Sequence, residues 1–214
     1  MNCKTCLVDA GKRMLHSGLT VDTWGNLSLR DPETGLVYLT PSAMPYDVLT
    51  EDDIVAARLD GTVVEGTRKP TIEMEMHLEI LRARPELRAV IHTHPIDSQV
   101  FAVLRRPIPP ISDEAAQTLG GTVSVAEYGL PGSPELAENA VRALGNGCAC
   151  LLANHGAVCV GASLEQAFKV CTVLEVTAKI YRMALAIGEP HVISDDLVAA
   201  MRDFAVNHYG QDKR

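Results

Sequence analysis

The stretch Ile91-His92-Thr93-His94-Pro95 constrains this chain more than any other. It continues Leu87-Arg88-Ala89-Val90, a run that reads as a short buried strand. Side chains along a strand alternate faces, so His92 and His94 project from one side, about 7 Å apart along the chain. Two imidazoles on one face at a strand's end can share a metal ion, although His-x-His also occurs in ordinary strands. A third ligand and a carboxylate decide between these readings.

His155 is the third candidate. It lies between two apolar runs and beside Gly156, which puts it at a backbone turn and not in a packed stripe. A catalytic zinc takes three protein ligands and keeps one position open, and His92, His94 and His155 fit that count. His16 and His208 end helical patterns and His191 lies in a loop, so these read as solvated. His77 follows Glu73 by one helical turn and either supports a ligand from behind or packs in the core, with core preferred. Glu73 is the candidate carboxylate. An acid at a helix start also meets the helix dipole favourably, which accounts for Glu73 and Glu75 without any chemistry.

At 214 residues, 47% apolar and 21% charged, the chain suits one soluble domain spanning residues 1–214. A net charge of −8 argues against a general nucleic-acid binder, which needs a basic face. No apolar run approaches the roughly 20 residues that span a bilayer, and no signal-peptide core is present, so no membrane partner is expected. Cys3, Cys6, Cys148, Cys150, Cys159 and Cys171 read as reduced structural thiols of a cytoplasmic protein. Cys3-x-x-Cys6 lacks the second CxxC of a zinc ribbon.

Early strands and later helices predict an α/β fold with a mostly antiparallel central sheet layered with helices. Helical stripes are expected at 3–16, from an N-cap at Thr71 to about Arg84, at 96–104, 113–119, 133–144, 163–187 and from Ser194 toward His208. Hairpins are expected from Leu27–Arg30 with Leu36–Thr40, and from Ile54–Leu59 with Thr62–Glu65 across Asp60-Gly61. Ala149–Ala153 and Ala157–Val160 read as buried strands around Asn154-His155-Gly156.

These residues resemble those of the class II aldolases, of the zinc-dependent L-fuculose-1-phosphate aldolase type, in the aldolase–adducin superfamily. The resemblance covers about residues 7 to 210. It rests on Thr23-Trp24-Gly25-Asn26-Leu27-Ser28-Leu29-Arg30, Thr40-Pro41-Ser42-Ala43, Glu65-Gly66, Lys69-Pro70-Thr71-Ile72-Glu73 with His77, His92-Thr93-His94-Pro95 and Asn154-His155-Gly156. It implies a three-layer α/β/α fold and a lyase that cleaves a ketose 1-phosphate, such as L-fuculose 1-phosphate or a deoxy-pentulose 1-phosphate, into dihydroxyacetone phosphate and an aldehyde. The implied cofactor is one Zn²⁺ per subunit, with Mn²⁺ or Co²⁺ as substitutes, held by His92, His94 and His155. Glu73 is implied as fourth ligand and as the acid–base that leaves the metal when substrate arrives. Gly25, Asn26, Ser42, Ala43, Thr71 and Ile72 are implied as the phosphate pocket, and Tyr209 as a group that closes over the site and assists proton transfer. The family assembly is a four-fold symmetric homotetramer with sites between subunits.

Three departures bear on the substrate. Ile72 stands where the family has a second small hydroxyl residue, Ala43 where it has glycine, and Asp113, beside Glu114, where the fuculose enzyme has a cross-subunit tyrosine acid. They leave open another deoxy- or methylthio-pentulose phosphate, or an acid without phosphate. Rival reactions on this scaffold are pentulose-phosphate 4-epimerisation, whose enzymes usually have aspartate in place of Glu73, and keto-acid decarboxylation. A non-enzymatic adducin-like scaffold protein would have lost the metal ligands, which are all present here.

Overall fold

The computed structural model of this chain describes residues 2–208. It is built on one eight-stranded sheet, β1 Asn26–Arg30, β2 Val37–Leu39, β3 Val55–Ala57, β4 Val63–Glu65, β5 Ala89–Thr93, β6 Val125–Ala126, β7 Ala149–Leu152 and β8 Gly156–Gly161. Their order across the sheet is β4-β3-β2-β1-β5-β8-β7-β6, which puts the His-x-His strand β5 at the centre. Both predicted hairpins form, β1 with β2 and β3 with β4. All neighbours are antiparallel except β6 and β7. The helix between those two strands supplies the crossover that a parallel pair requires.

The helices are α1 Cys3–His16, α2 Met74–Ala83, α3 Ile96–Leu104, α4 Asp113–Thr118, α5 Pro134–Leu144, α6 Leu164–Leu185 and α7 Asp195–Asn207. Alternation along the strands sorts them into two layers. Leu27, Leu29, Ile91, Leu151 and Cys159 face one side and pack with Leu7 and Met14 of α1, Phe101 of α3 and Phe168 and Leu174 of α6. Val90, Cys150, Leu152, Val158 and Val160 face the other and pack with Leu78 and Leu81 of α2 and Leu136 and Ala140 of α5. The three-layer expectation is met, and burying each such aliphatic side chain contributes about 1.5–3 kcal/mol.

Several ends follow local rules. Ser133 and Ser163 cap α5 and α6 by accepting from the N–H groups of Leu136 and Gln166, with Pro134 at the first position of α5. The Thr71 expectation needs correction. Glu73, at φ −97° and ψ 20°, occupies the position before the first helical residue of α2, and the Thr71 hydroxyl accepts instead from the Glu73 N–H at 3.3 Å. A hydroxyl two residues ahead of an N–H makes a local turn that competes with the helix, so α2 begins two residues later than a cap at Thr71 would have it.

Candidate metal centre

Four segments bring the site together at one edge of the central strands. His92 is the penultimate residue of β5 and lies directly opposite Asn26, the first residue of β1. His94 follows the end of β5, its N–H donating to the Leu19 carbonyl at 3.0 Å. The β7–β8 hairpin carries His155 beside Asn154, whose φ is +54°, a left-handed conformation that asparagine tolerates better than most residues. Gly156 then passes so close to β5 that an added Cβ would sit 2.2 Å from the Thr93 carbonyl oxygen. Gly25, with φ +73°, is equally confined, since its Cβ would lie 2.6 Å from the His92 oxygen.

The three rings converge, with centroids 4.7, 4.7 and 5.0 Å apart. One possible ligand atom from each lies within 4.8 Å of the others. The Nε2 atoms of His92 and His94 face each other at 2.9 Å. His92 Nδ1 is 3.0 Å from the Ala157 carbonyl, an acceptor, so this nitrogen carries the proton and Nε2 presents its lone pair. Glu73 completes the cluster, with Oε2 at 3.3 Å from His92 Nε2 and Oε1 at 3.3 Å from His155 Nε2. Burial pushes the imidazoles down, His92 to about 4, His94 to about 3 with help from its two neighbouring rings, and His155 to about 4. They are therefore neutral at physiological pH, the state a metal ligand needs.

Glu73 Oε1 and His155 Nδ1 are buried without a hydrogen-bond partner among the described residues. A buried polar atom without a partner is costly, and three imidazoles plus a carboxylate are a donor set that suits a borderline divalent cation. The residues present fit such an ion.

The cleft beside this cluster encloses about 340 Å³. Its walls include Gly25, Asn26, Ser42, Ala43, Thr71, Ile72, Glu73, His94 and His155, so the structure brings the six substrate-pocket candidates to one cleft. The Ser42 and Thr71 segments lie side by side because Pro41 and Pro70 form a bridge, with Thr71 N–H donating to Thr40 O at 3.1 Å and Ser42 N–H to Lys69 O at 3.0 Å. Ala43 adopts φ +52°, the conformation that the glycine it replaces would take freely. Ile72 is 63% exposed and Trp24 58% exposed, so apolar surface flanks the polar centre. Trp24 meets the His94 ring edge-on at 5.3 Å between centroids. Sequence reasoning gave no role to Trp24 or Pro131, both of which line the cleft.

Asn26 has two jobs. Its Nδ2 donates to Glu73 Oε2 at 2.8 Å and its Oδ1 lies 2.6 Å from His77 Nε2, so one N–H remains for a ligand. His77, read as core, is fully buried as expected but also hydrogen-bonded into the site. Asp113 is exposed at the start of α4 and is not among the residues that line the cleft. Tyr209 lies outside the described residues.

Residues 5–182 match the family described as Class II Aldolase and Adducin N-terminal domain. The chain is 38% identical over 190 residues to 5-deoxy-D-ribulose 1-phosphate aldolase from Bacillus thuringiensis serovar kurstaki, covering 89% of each chain. It is 37% identical to 5-methylthioribulose-1-phosphate/5-deoxyribulose-1-phosphate aldolase from Rhodospirillum rubrum, covering 89% of this chain and 85% of the relative. A solved structure of an L-fuculose 1-phosphate aldolase superposes with a TM-score of 0.92 at 39% identity, over 94% of this chain and 95% of that one. With three histidines and a glutamate converging beside a polar cleft on this sheet, the chain belongs to the class II aldolase and adducin family, and its place in that family is with the aldolases.

Proposed function

We infer that this protein is a zinc-dependent aldehyde-lyase that reversibly cleaves a ketose 1-phosphate into dihydroxyacetone phosphate and an aldehyde. The observation that carries the reading is the convergence of His92, His94, His155 and Glu73 beside one cleft, whose wall includes the last three. In this reading the three imidazoles hold the metal, which when bound supplies a Lewis acid for the negative charge that develops on the ketose oxygens. Glu73, the one carboxylate among the described residues of the cleft wall, moves the proton at the substrate carbon or hydroxyl. No lysine or arginine is among the described residues of that wall, so the phosphate is met by neutral donors, the hydroxyls of Ser42 and Thr71, the free N–H of Asn26 and nearby backbone N–H groups.

The names of the relatives and the apolar Trp24, Ile72 and Pro131 wall favour a 5-deoxy- or 5-methylthio-pentulose 1-phosphate over a fully hydroxylated sugar. We further assign Asp113 to proton transfer across a subunit boundary of a homotetramer, and Tyr209 to closure over the site with assistance to proton transfer. The exposed apolar residues Ile96, Val103 and Leu104 on α3 support an assembled state. The free state of the six cysteines supports a reducing, cytoplasmic setting. The test is a panel of ketose 1-phosphates incubated with zinc-loaded protein and assayed for dihydroxyacetone phosphate. Release from a deoxy- or methylthio-pentulose phosphate is expected. An epimerised pentulose phosphate, or carbon dioxide from a keto acid, with no triose released would replace the aldolase reading.

A further inference from the structure

Ser28, Asn26, Glu73 and His77 form one buried chain of hydrogen bonds running from the sheet to the candidate metal centre. Register explains how they meet. Asn26 and Ser28 are two apart on β1, so both point to the α2 face of the sheet, and Asn26 lies opposite His92. On α2, His77 stands directly over that pair, with Nδ1 at 2.8 Å from Ser28 Oγ and Nε2 at 2.6 Å from Asn26 Oδ1. Asn26 Nδ2 donates to Glu73 Oε2 at 2.8 Å.

The donors and acceptors can be assigned without ambiguity. A carboxylate only accepts, so Asn26 must turn its NH₂ toward Glu73 and its carbonyl toward His77. The carbonyl likewise only accepts, so His77 Nε2 carries the proton. Its Nδ1 is then bare and accepts from the Ser28 hydroxyl. Each link donates in the same direction, hydroxyl to imidazole to amide to carboxylate. Ser28 and His77 are shut from water at 0% exposure, and Asn26 and Glu73 show only 6% and 4% toward the cleft, so water cannot cheaply replace the links that His77 makes.

We propose that His77 is a positioning residue for the lyase reaction, fixing the Asn26 amide so that its NH₂ holds the Glu73 carboxylate between His92 and His155. An asparagine amide is nearly symmetric in shape, and only its partners decide which end faces which way. With His77 in place, a flipped Asn26 would set NH₂ against N–H and carbonyl against carboxylate. Without His77 one of those two penalties disappears, and the carboxylate loses its fixed support. Outer partners of this kind typically change activity or metal affinity by about 10- to 100-fold. The proposal rests on the metal-centre reading above.

The experiment compares His77→Leu, His77→Gln, Asn26→Ala and the Leu/Ala double variant. Each is assayed for kcat and KM on the ketose 1-phosphate the wild type cleaves, and for the visible spectrum of its Co²⁺-loaded form. His77→Leu should lower kcat about tenfold or more with KM within about twofold, and should alter the Co²⁺ spectrum as Asn26→Ala does. His77→Gln, whose side-chain NH₂ can reach the Asn26 carbonyl, should recover most of the loss. In the double variant the His77 change should add nothing to Asn26→Ala, because the two act in series. Ser28→Ala, a milder change, should shift both readouts the same way by less, and it decides the matter if His77→Leu does not fold. Losses that multiply in the double variant, or a wild-type kcat and spectrum in His77→Leu or in Ser28→Ala, overturn the proposal. Should the wild type cleave no ketose 1-phosphate, the functional reading fails while the Co²⁺ spectra still decide the role of His77.

Discussion

Glu73 carries the densest set of interactions at the residue scale. It is buried, it stands within 3.3 Å of His92 and of His155, and Asn26 holds one of its oxygens. Glu73→Gln keeps the shape but removes the proton-carrying group, and general acid–base help is typically worth about 10²- to 10⁴-fold. We expect kcat to fall in that range while circular dichroism and most metal binding persist, and full turnover in the variant would remove Glu73 from the mechanism. Gly156 makes a second residue-scale case. A Cβ there would sit 2.2 Å from Thr93 O, in the backbone between two ligand histidines. Gly156→Ala should cost about 1–3 kcal/mol in chemical denaturation and weaken metal binding together, since the hairpin carrying His155 must move away from β5. Unchanged stability with intact metal binding would show the contact to be softer than its geometry indicates.

Among the elements, α3 shows how a helix is fixed next to the centre without a cap of its own. Pro95 precedes it and offers no side-chain acceptor, yet Glu175 of α6 accepts from the Asp97 and Ser98 N–H groups at 2.8 and 2.9 Å and from the Ser98 hydroxyl at 2.7 Å. A carboxylate at a helix N-terminus satisfies orphan donors and meets the dipole, so this anchor fixes the chain just after His94. Glu175→Ala should cost about 1–3 kcal/mol, read as a lower urea midpoint at unchanged slope, and an unchanged midpoint would mean that water replaces the carboxylate there. The elements also show what a sequence can and cannot reveal. Periodicity gave α1, α5 and α6 almost to the residue, because each has an apolar stripe and a serine, asparagine or glycine at an end. The two-residue strand β6 is too short to display alternation and exists only because β7 lies beside it. Thr71 misled because a hydroxyl near a helix start can serve the cap or the turn before it, and only the backbone angles of Glu73 decide.

On the scale of the whole molecule, the site is a product of topology. The histidines were legible as residue types, but that Asn26 lies opposite His92, and that His77 of α2 covers both, follows from strand order across residues 26 to 92. No local pattern encodes that pairing, although the two-residue spacing of Asn26 and Ser28 and the four-residue spacing of Glu73 and His77 are its traces. Gathering four imidazoles in the interior also has a consequence for the metal-free protein. Burial pushes His77 to about 3, and His92, His94 and His155 lie at about 4, 3 and 4, all below the ordinary value near 6.5. The unfolded chain therefore binds protons that the folded chain refuses. Stability from these groups is complete above about pH 6.5 and drains away as pH falls toward 4 and 3. Urea midpoints of metal-free protein from pH 7 to 4 should fall steadily, and a flat profile would mean that the rings are hydrated or already charged.

Metal content measured by elemental analysis is the most direct test of the central claim, that His92, His94 and His155 share one divalent cation. Protein purified without chelators is expected to carry zinc at about one atom per chain, lost on removal with a chelator, restored on adding zinc, and absent from a variant with His92 and His94 changed to alanine. Protein that carries no divalent metal and takes up none on titration, or a double variant that binds as the wild type does, would contradict the account.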